Sequence, residues 1–127
     1  MLFFDRSIGK AVPLALRQVG VPVEIHDELY PQRLVPDEEW IGDATARGSV
    51  LITRDRRIRH RPAERKSVAT AGGRMFVLRG KGARRLEMLR VLMIAWDRMQ
   101  TVIATEAAPA WIYEFDAGGR LTRVFPP

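Results

Sequence analysis

The stretch Val50–His60 reads VLITRDRRIRH, an apolar run that halts at Thr53-Arg54-Asp55. A strand with one wet face alternates polar and apolar residues. Val50–Ile52 does not alternate, so it predicts a parallel strand covered on both faces. One acid, Asp55, then stands among Arg54, Arg56, Arg57, Arg59 and Arg61.

Upstream, MLFF is a short apolar run ending at Asp5. SIGKAVPLALRQVG predicts a helix carrying Val12, Leu14, Leu16 and Val19, with Pro13 in its first turn and Gly20 as its stop. VPVEIH alternates as a strand does, and Pro22 suits a strand start or an edge. DELYPQRLVP, with two prolines, reads as loop. DEEWIGDATARGS predicts a second helix, with Asp37 as N-cap, Glu38 and Glu39 in its first turn, and Gly48 closing it.

Downstream, RPAERKSVATAGG predicts a third helix and RMFVLRG a further strand. Strands alternating with helices define an α/β fold with a central, mostly parallel sheet. Right-handed crossovers place the C-terminal ends of its strands on one edge, where such sheets bind ligands. After Gly82 the pattern changes. RRLEMLRVLMIAWDRMQTVIAT predicts one long helix, with Leu86, Leu89, Met93, Trp96 and Met99 spaced to share an apolar face. If that face exceeds what the sheet can cover, it is a surface for a homodimer or another partner. PAWIYEFDAGGRLTRVFPP predicts a hairpin turning at Ala117-Gly118-Gly119. Residues 1–82 are expected to form the core, and 83–127 a helix and hairpin packed on the same domain.

The 127 residues suit one domain, and 46% hydrophobic content can fill its core. The absence of cysteine excludes disulfides and thiolate metal sites. No run reaches the length of a membrane helix, and the start, apolar then charged, reverses a secretory signal. A cytoplasmic protein is therefore expected. The net charge is +6, with 21 Lys+Arg against 15 Asp+Glu, and all but three of the 21 are arginine. Arginine forks match phosphate, so a nucleic acid is the expected partner.

Distant acids fall at one edge of this sheet. Asp5 ends the first strand, and Asp55 lies two residues past the SVLIT strand. A loop as long as DELYPQRLV can carry the next helix start there, adding Asp37 with its neighbours Glu38 and Glu39. Carboxylates gathered in one pocket repel each other unless a cation joins them. All-oxygen ligands select Mg²⁺ or Mn²⁺. Such an ion activates water and neutralises charge at a phosphodiester, while arginines hold the flanking phosphates. Plainer roles stand beside these. Asp5 and Asp37 suit helix caps, and Asp55 suits a surface pair with Arg54 or Arg57. Asp27 and Glu28 are reserve ligands or loop acids. His26 reads as a packed histidine, and His60 as one facing solvent or phosphate. Trp40, Trp96 and Trp111 read as core or interface anchors. Gly80-Lys81-Gly82 lacks the spacing of a phosphate-binding P-loop.

At these residues the sequence resembles the PIN-like nucleases, in particular the VapC45-type group near the Mut7-C and DUF5615 families. The matching pieces are FFDRSIGKAVPLALRQVG with Asp5, PDEEWIGDATARG with Asp37 and Glu39, and VLITRDRRIRHRPAE with Asp55. The resemblance implies a PIN-like three-layer sandwich and a Mg²⁺ or Mn²⁺ site formed by Asp5, Asp37, Glu39 and Asp55. It implies cleavage of single-stranded RNA by the toxin of a toxin–antitoxin pair, with a cognate antitoxin as partner. Arg6, Arg54, Arg56, Arg57 and Arg59 are the expected RNA-backbone contacts. The larger PIN pattern often has a further acid where this chain reads Arg56-Arg57 or Arg79-Gly80, so the site is sparse. A competing reading is a nucleic-acid-binding module without nuclease activity. A phosphorylatable receiver-like domain needs paired acids after the first strand and a lysine after a fifth parallel strand, and neither is found here.

Overall fold

A computed structural model describes residues 1–31, 34–55, 62–79 and 84–127. Six strands form one sheet: β1 (Leu2–Phe4), β2 (Val23–Ile25), β3 (Val50–Thr53), β4 (Arg74–Leu78), β5 (Trp111–Phe115) and β6 (Leu121–Phe125), in the order β2-β1-β3-β4-β5-β6. β1 pairs in parallel with both β2 and β3, β3 with β4, and β4 with β5; only β6 runs antiparallel, against β5. The expected α/β sandwich with a mostly parallel sheet is therefore present, and the C-terminal hairpin extends that sheet.

The unbroken apolar runs at β1 and β3 lie beside each other at its centre, and every residue of both is buried. Successive side chains of a strand point to opposite faces. Leu2, Phe4, Val50, Ile52, Phe76 and Leu78 accordingly enter one core layer, and Phe3, Leu51, Met75 and Val77 the other. Helix α1 (Ala11–Gln18) covers the first face with Val12 and Leu16. After the single turn α2 (His26–Leu29), helices α3 (Asp37–Ala46) and α4 (Pro62–Ala71) cover the second with Trp40, Ile41, Ala44 and Val68. Trp40 lies flat on Phe3, ring centroids 5.4 Å apart.

Three local expectations are corrected. The DELYPQRLVP segment is not all loop, since His26–Leu29 is helical. Asp37 is not the N-cap of α3. Pro36 occupies that position, and the Asp37 carboxylate instead accepts the Trp40 indole N–H at 3.0 Å. The third concerns α5 (Arg85–Thr105), which packs on the α1 face through Met88, Val91, Leu92, Ala95 and Met99. Of the five residues spaced to share an apolar face only Met99 is fully buried; Leu89 and Trp96 pack half-buried on the same core, and Leu86 is 74% exposed and Met93 45%.

The end of α5 is latched to the hairpin. Glu106 caps the helix and accepts hydrogen bonds from the Tyr113 hydroxyl and, at 3.1 Å, from the Ala108 N–H, with Arg123 at 3.6 Å. The Tyr113 bond first, then the Ala108 bond and the Arg123 charge, hold the Glu106 carboxyl below its ordinary pKa. A carboxyl depressed on folding contributes stability that is present above its unfolded pKa and lost as pH falls through its folded pKa. Glu106→Gln should therefore narrow the difference in stability between neutral pH and pH at or below the ordinary carboxylate range. Denaturant titrations of both proteins across that range provide the check, and parallel pH profiles would contradict it.

Candidate acidic site

In the strand order, β1 is followed by β2 on one side, while the chain later returns to β1's other side as β3. The chain thus reverses its direction of winding between β1 and β3, and such a switch point opens a crevice outside the C-terminal strand ends. Asp5 and Asp55 sit there. With Arg6, Ser7, His26, Leu34, Val35, Asp37 and Trp40 they line an open cleft of about 360 Å³.

Asp5 is 7% exposed and is held from several sides. Its backbone N–H donates to the Ile52 carbonyl at 2.9 Å, continuing the β1–β3 ladder by one residue. Its Oδ1 accepts the Arg6 N–H at 2.6 Å and caps the 3₁₀ turn Arg6–Ile8. Its Oδ2 accepts the Ser7 hydroxyl and the Thr53 hydroxyl, each at 2.8 Å. Those hydroxyls also serve the other strand end. Ser7 Oγ accepts the Arg54 N–H at 2.9 Å, and Thr53 Oγ1 the Asp55 N–H at 3.0 Å. The cap role and the site role of Asp5 thus coexist in one carboxylate, and the lattice fixes the backbone that presents Asp55.

Thr53 is fully buried, and its methyl and hydroxyl meet different needs. Thr53→Val keeps the shape but removes the donor to Asp5 and the acceptor for Asp55 N–H. It should destabilise the fold by about 1–3 kcal/mol, since buried polar partners are left unsatisfied. Thermal unfolding measures this, and a variant as stable as the parent would show that the lattice contributes nothing.

The other candidates are placed as follows. Asp37 enters the cleft from the start of α3, with Oδ1 engaged by Trp40. Glu38 is exposed and Glu39 half-buried, and neither lines the cleft. Arg6 lines it and is exposed; Arg54 is half-buried beside it. Arg56, Arg57, Arg59, His60, Arg61 and Gly80-Lys81-Gly82 lie outside the described residues. Asp27 pairs with His26 Nδ1 at 3.1 Å, and Glu28 with Arg17 at 2.9 Å. The Arg17 hydrogen bond holds the Glu28 carboxyl below its usual range. His26 is packed, as its position at a strand end suggests. It is buried against Phe3, Tyr30 and Trp40, yet it also forms part of the cleft wall. Sequence reasoning passed over Ser7 and the Thr53 hydroxyl as parts of the site. The one signal was that each stands within two residues of an acid at a strand end.

Among the described residues, no three carboxylates or histidines are gathered closely enough to make a ready-formed metal site. The donors still suit one kind of ion. Mg²⁺ and ions like it keep several waters and take one or two carboxylates plus substrate phosphate, where a caged site would need the whole ligand set preassembled. Asp5, Asp37 and Asp55 around an open, water-accessible cleft fit that mode.

The family model described as PIN like domain matches residues 1–80. The chain belongs to the PIN-like domain family. In Mycobacterium tuberculosis, the protein named "Putative ribonuclease VapC45" is 33% identical over 79 residues, which is 59% of this chain and 57% of that protein. The match thus spans little more than half of either chain. No solved structure matches the chain. Among the described residues, no helix is long and apolar enough to cross a membrane.

Proposed function

We propose that the chain is a Mg²⁺- or Mn²⁺-dependent endoribonuclease that cleaves single-stranded RNA, acting as the toxin of a toxin–antitoxin pair. The observation that carries this reading is the meeting of Asp5, Asp37 and Asp55 in one cleft at the β1–β3 switch point of a PIN-like fold. The ribonuclease name of its relative supports it.

In this reading Asp5, Asp37 and Asp55 hold the ion, with Glu39 as a reserve ligand. The ion supplies an activated water and a counter-charge for the phosphodiester. Asp5 is oriented beforehand by Arg6 N–H, Ser7 and Thr53, so little ordering remains when substrate arrives. Arg6 and Arg54, together with Arg56, Arg57 and Arg59, hold the RNA backbone. The net charge of +6 draws the polyanion in, with a dependence on salt. The cognate antitoxin is the protein partner, and the cytoplasm the place of action.

The test is cleavage of a labelled single-stranded RNA with Mg²⁺, with Mn²⁺ and with chelator. Expression should also arrest growth, with relief by the product of an adjacent reading frame. A second reading, RNA binding without cleavage, is favoured by the lack of a three-acid cluster among the described residues. A salt-dependent gel shift without cleavage at saturating Mn²⁺ would select it.

A further inference from the structure

A second opening lies on the same side of the sheet as the acidic cleft. Val35 and Trp40, which wall that cleft, belong to the core layer that α4 also covers. Between α4 and the edge strand β6 runs a groove of about 440 Å³. Pro62, Arg65, Lys66 and Ala69 line it from the helix. Their spacing, i, i+3, i+4 and i+7, sets them on one helical stripe. Val124 and Phe125 line it from the strand. Both reach this face because β6 is bulged: Ile112 faces Phe125 while Tyr113 faces Arg123, so Val124 is the extra residue. The groove thus has an apolar floor and a cationic wall. Lys66 is exposed and Arg65 half-buried, and neither has an ion-pair partner among the described residues. The described residues that line the groove include no Asp or Glu.

We propose that this groove holds single-stranded RNA several nucleotides away from the point where the acidic cleft cuts it. The inference rests on the RNA-directed reading above and adds a second contact region to it. Cations on one wall suit backbone phosphates, and the half-buried ring of Phe125 suits an unstacked base. A neutral apolar partner would have to desolvate both cations without pairing them, whereas a nucleotide strand satisfies both. The topology supplies a path. β3 and β4 are parallel, so α4 between them starts at the strand edge where Asp55 stands and runs back along the sheet. Phe125 is level with Leu51, through Ile112 and Met75, and lies three strands from β3. That is about 14 Å across the sheet at about 4.8 Å per strand. A duplex cannot use this route, because its paired bases offer no free face to Phe125.

Binding of labelled oligouridine, about 16 nucleotides long, to the whole chain with chelator present tests the groove apart from cleavage. Arg65→Gln combined with Lys66→Gln should weaken binding about tenfold and flatten its salt slope by about 1.4, at about 0.7 per phosphate contact. Arg65→Lys combined with Lys66→Arg, which keeps both charges, should bind as the parent does. Phe125→Leu keeps the apolar floor and should weaken binding about fivefold or more through lost stacking. In cleavage with Mn²⁺, the Gln pair should raise KM and leave kcat unchanged. An affinity and salt slope unaltered by the Gln pair overturn the proposal while leaving the nuclease reading intact. Binding that depends on these residues in a chain that never cleaves upholds the groove and refutes the nuclease reading. Equal binding of duplex RNA by the parent overturns the proposal. So does failure of the parent to bind oligouridine, and capture of polyglutamate in its place would assign the groove to an acidic protein.

Discussion

Replacing Asp5 by Asn should lower metal-dependent RNA cleavage by about a hundredfold or more while leaving the fold in place. Asn keeps an oxygen for the Arg6 N–H, a fixed backbone donor at 2.6 Å. Its amide N–H₂ then faces Ser7 and Thr53, whose hydroxyls can rotate and accept where they formerly donated. What disappears is the negative charge. Asp55→Asn should have a similar effect on cleavage, since it removes charge from the other side of the same cleft. Rates on a labelled single-stranded RNA at saturating Mn²⁺, with unfolding curves of each variant, separate lost chemistry from lost structure. Full activity in both variants would exclude this cleft as the reaction centre. Loss of Mn²⁺ affinity, measured by calorimetry on the same variants, would tie the defect to the ion.

The second large effect is on stability. Gly119, in the turn between β5 and β6, has φ +78 and is buried under α5. A Cβ there would meet Ile94 Cγ2 at 2.6 Å and the Ala95 nitrogen at 3.3 Å. Alanine is thus penalised twice, by the left-handed backbone and by overpacking against a β-branched side chain. Gly119→Ala should destabilise the protein by about 2–4 kcal/mol, summing roughly 1 kcal/mol for the conformation with 1–3 for the clash. Denaturant unfolding with an unchanged m-value is the expected form of the result. A loss below half a kilocalorie per mole would mean that the hairpin can lift from α5 without penalty.

The sheet was legible in the chain because its central strands lack alternation. Val50–Ile52 and Leu2–Phe4 can be accommodated only where both faces are covered, and they lie side by side. The acidic edge followed from the same logic, since Asp5 and Asp55 each come just after a strand end. The helix faces were harder to read. Two neighbouring apolar stripes run along α5, and spacing alone could not tell which one is fully buried and which only half-buried against the same core. Capping at α3 misled for a related reason: Asp37 has the right chemistry for an N-cap, but Pro36 holds the capping backbone and the indole of Trp40 claims the carboxylate. The turn at His26–Leu29 is too short to show any period, and it packs against the Phe3–Trp40 stack, which forms only in the folded chain. Ser7 and Thr53 escaped notice because a hydroxyl at a strand end carries no periodic signature. Their value appears only when residues 46 and 48 positions apart come within hydrogen-bonding distance.

A sheet with β2 at one margin and β6 at the other has two open rims that could template growth into fibres. Both are blunted. β2 is three residues long and preceded by Pro22, and β6 carries a half-exposed Arg123 and is followed at once by Pro126. Strand-to-strand accretion is thus discouraged at each rim.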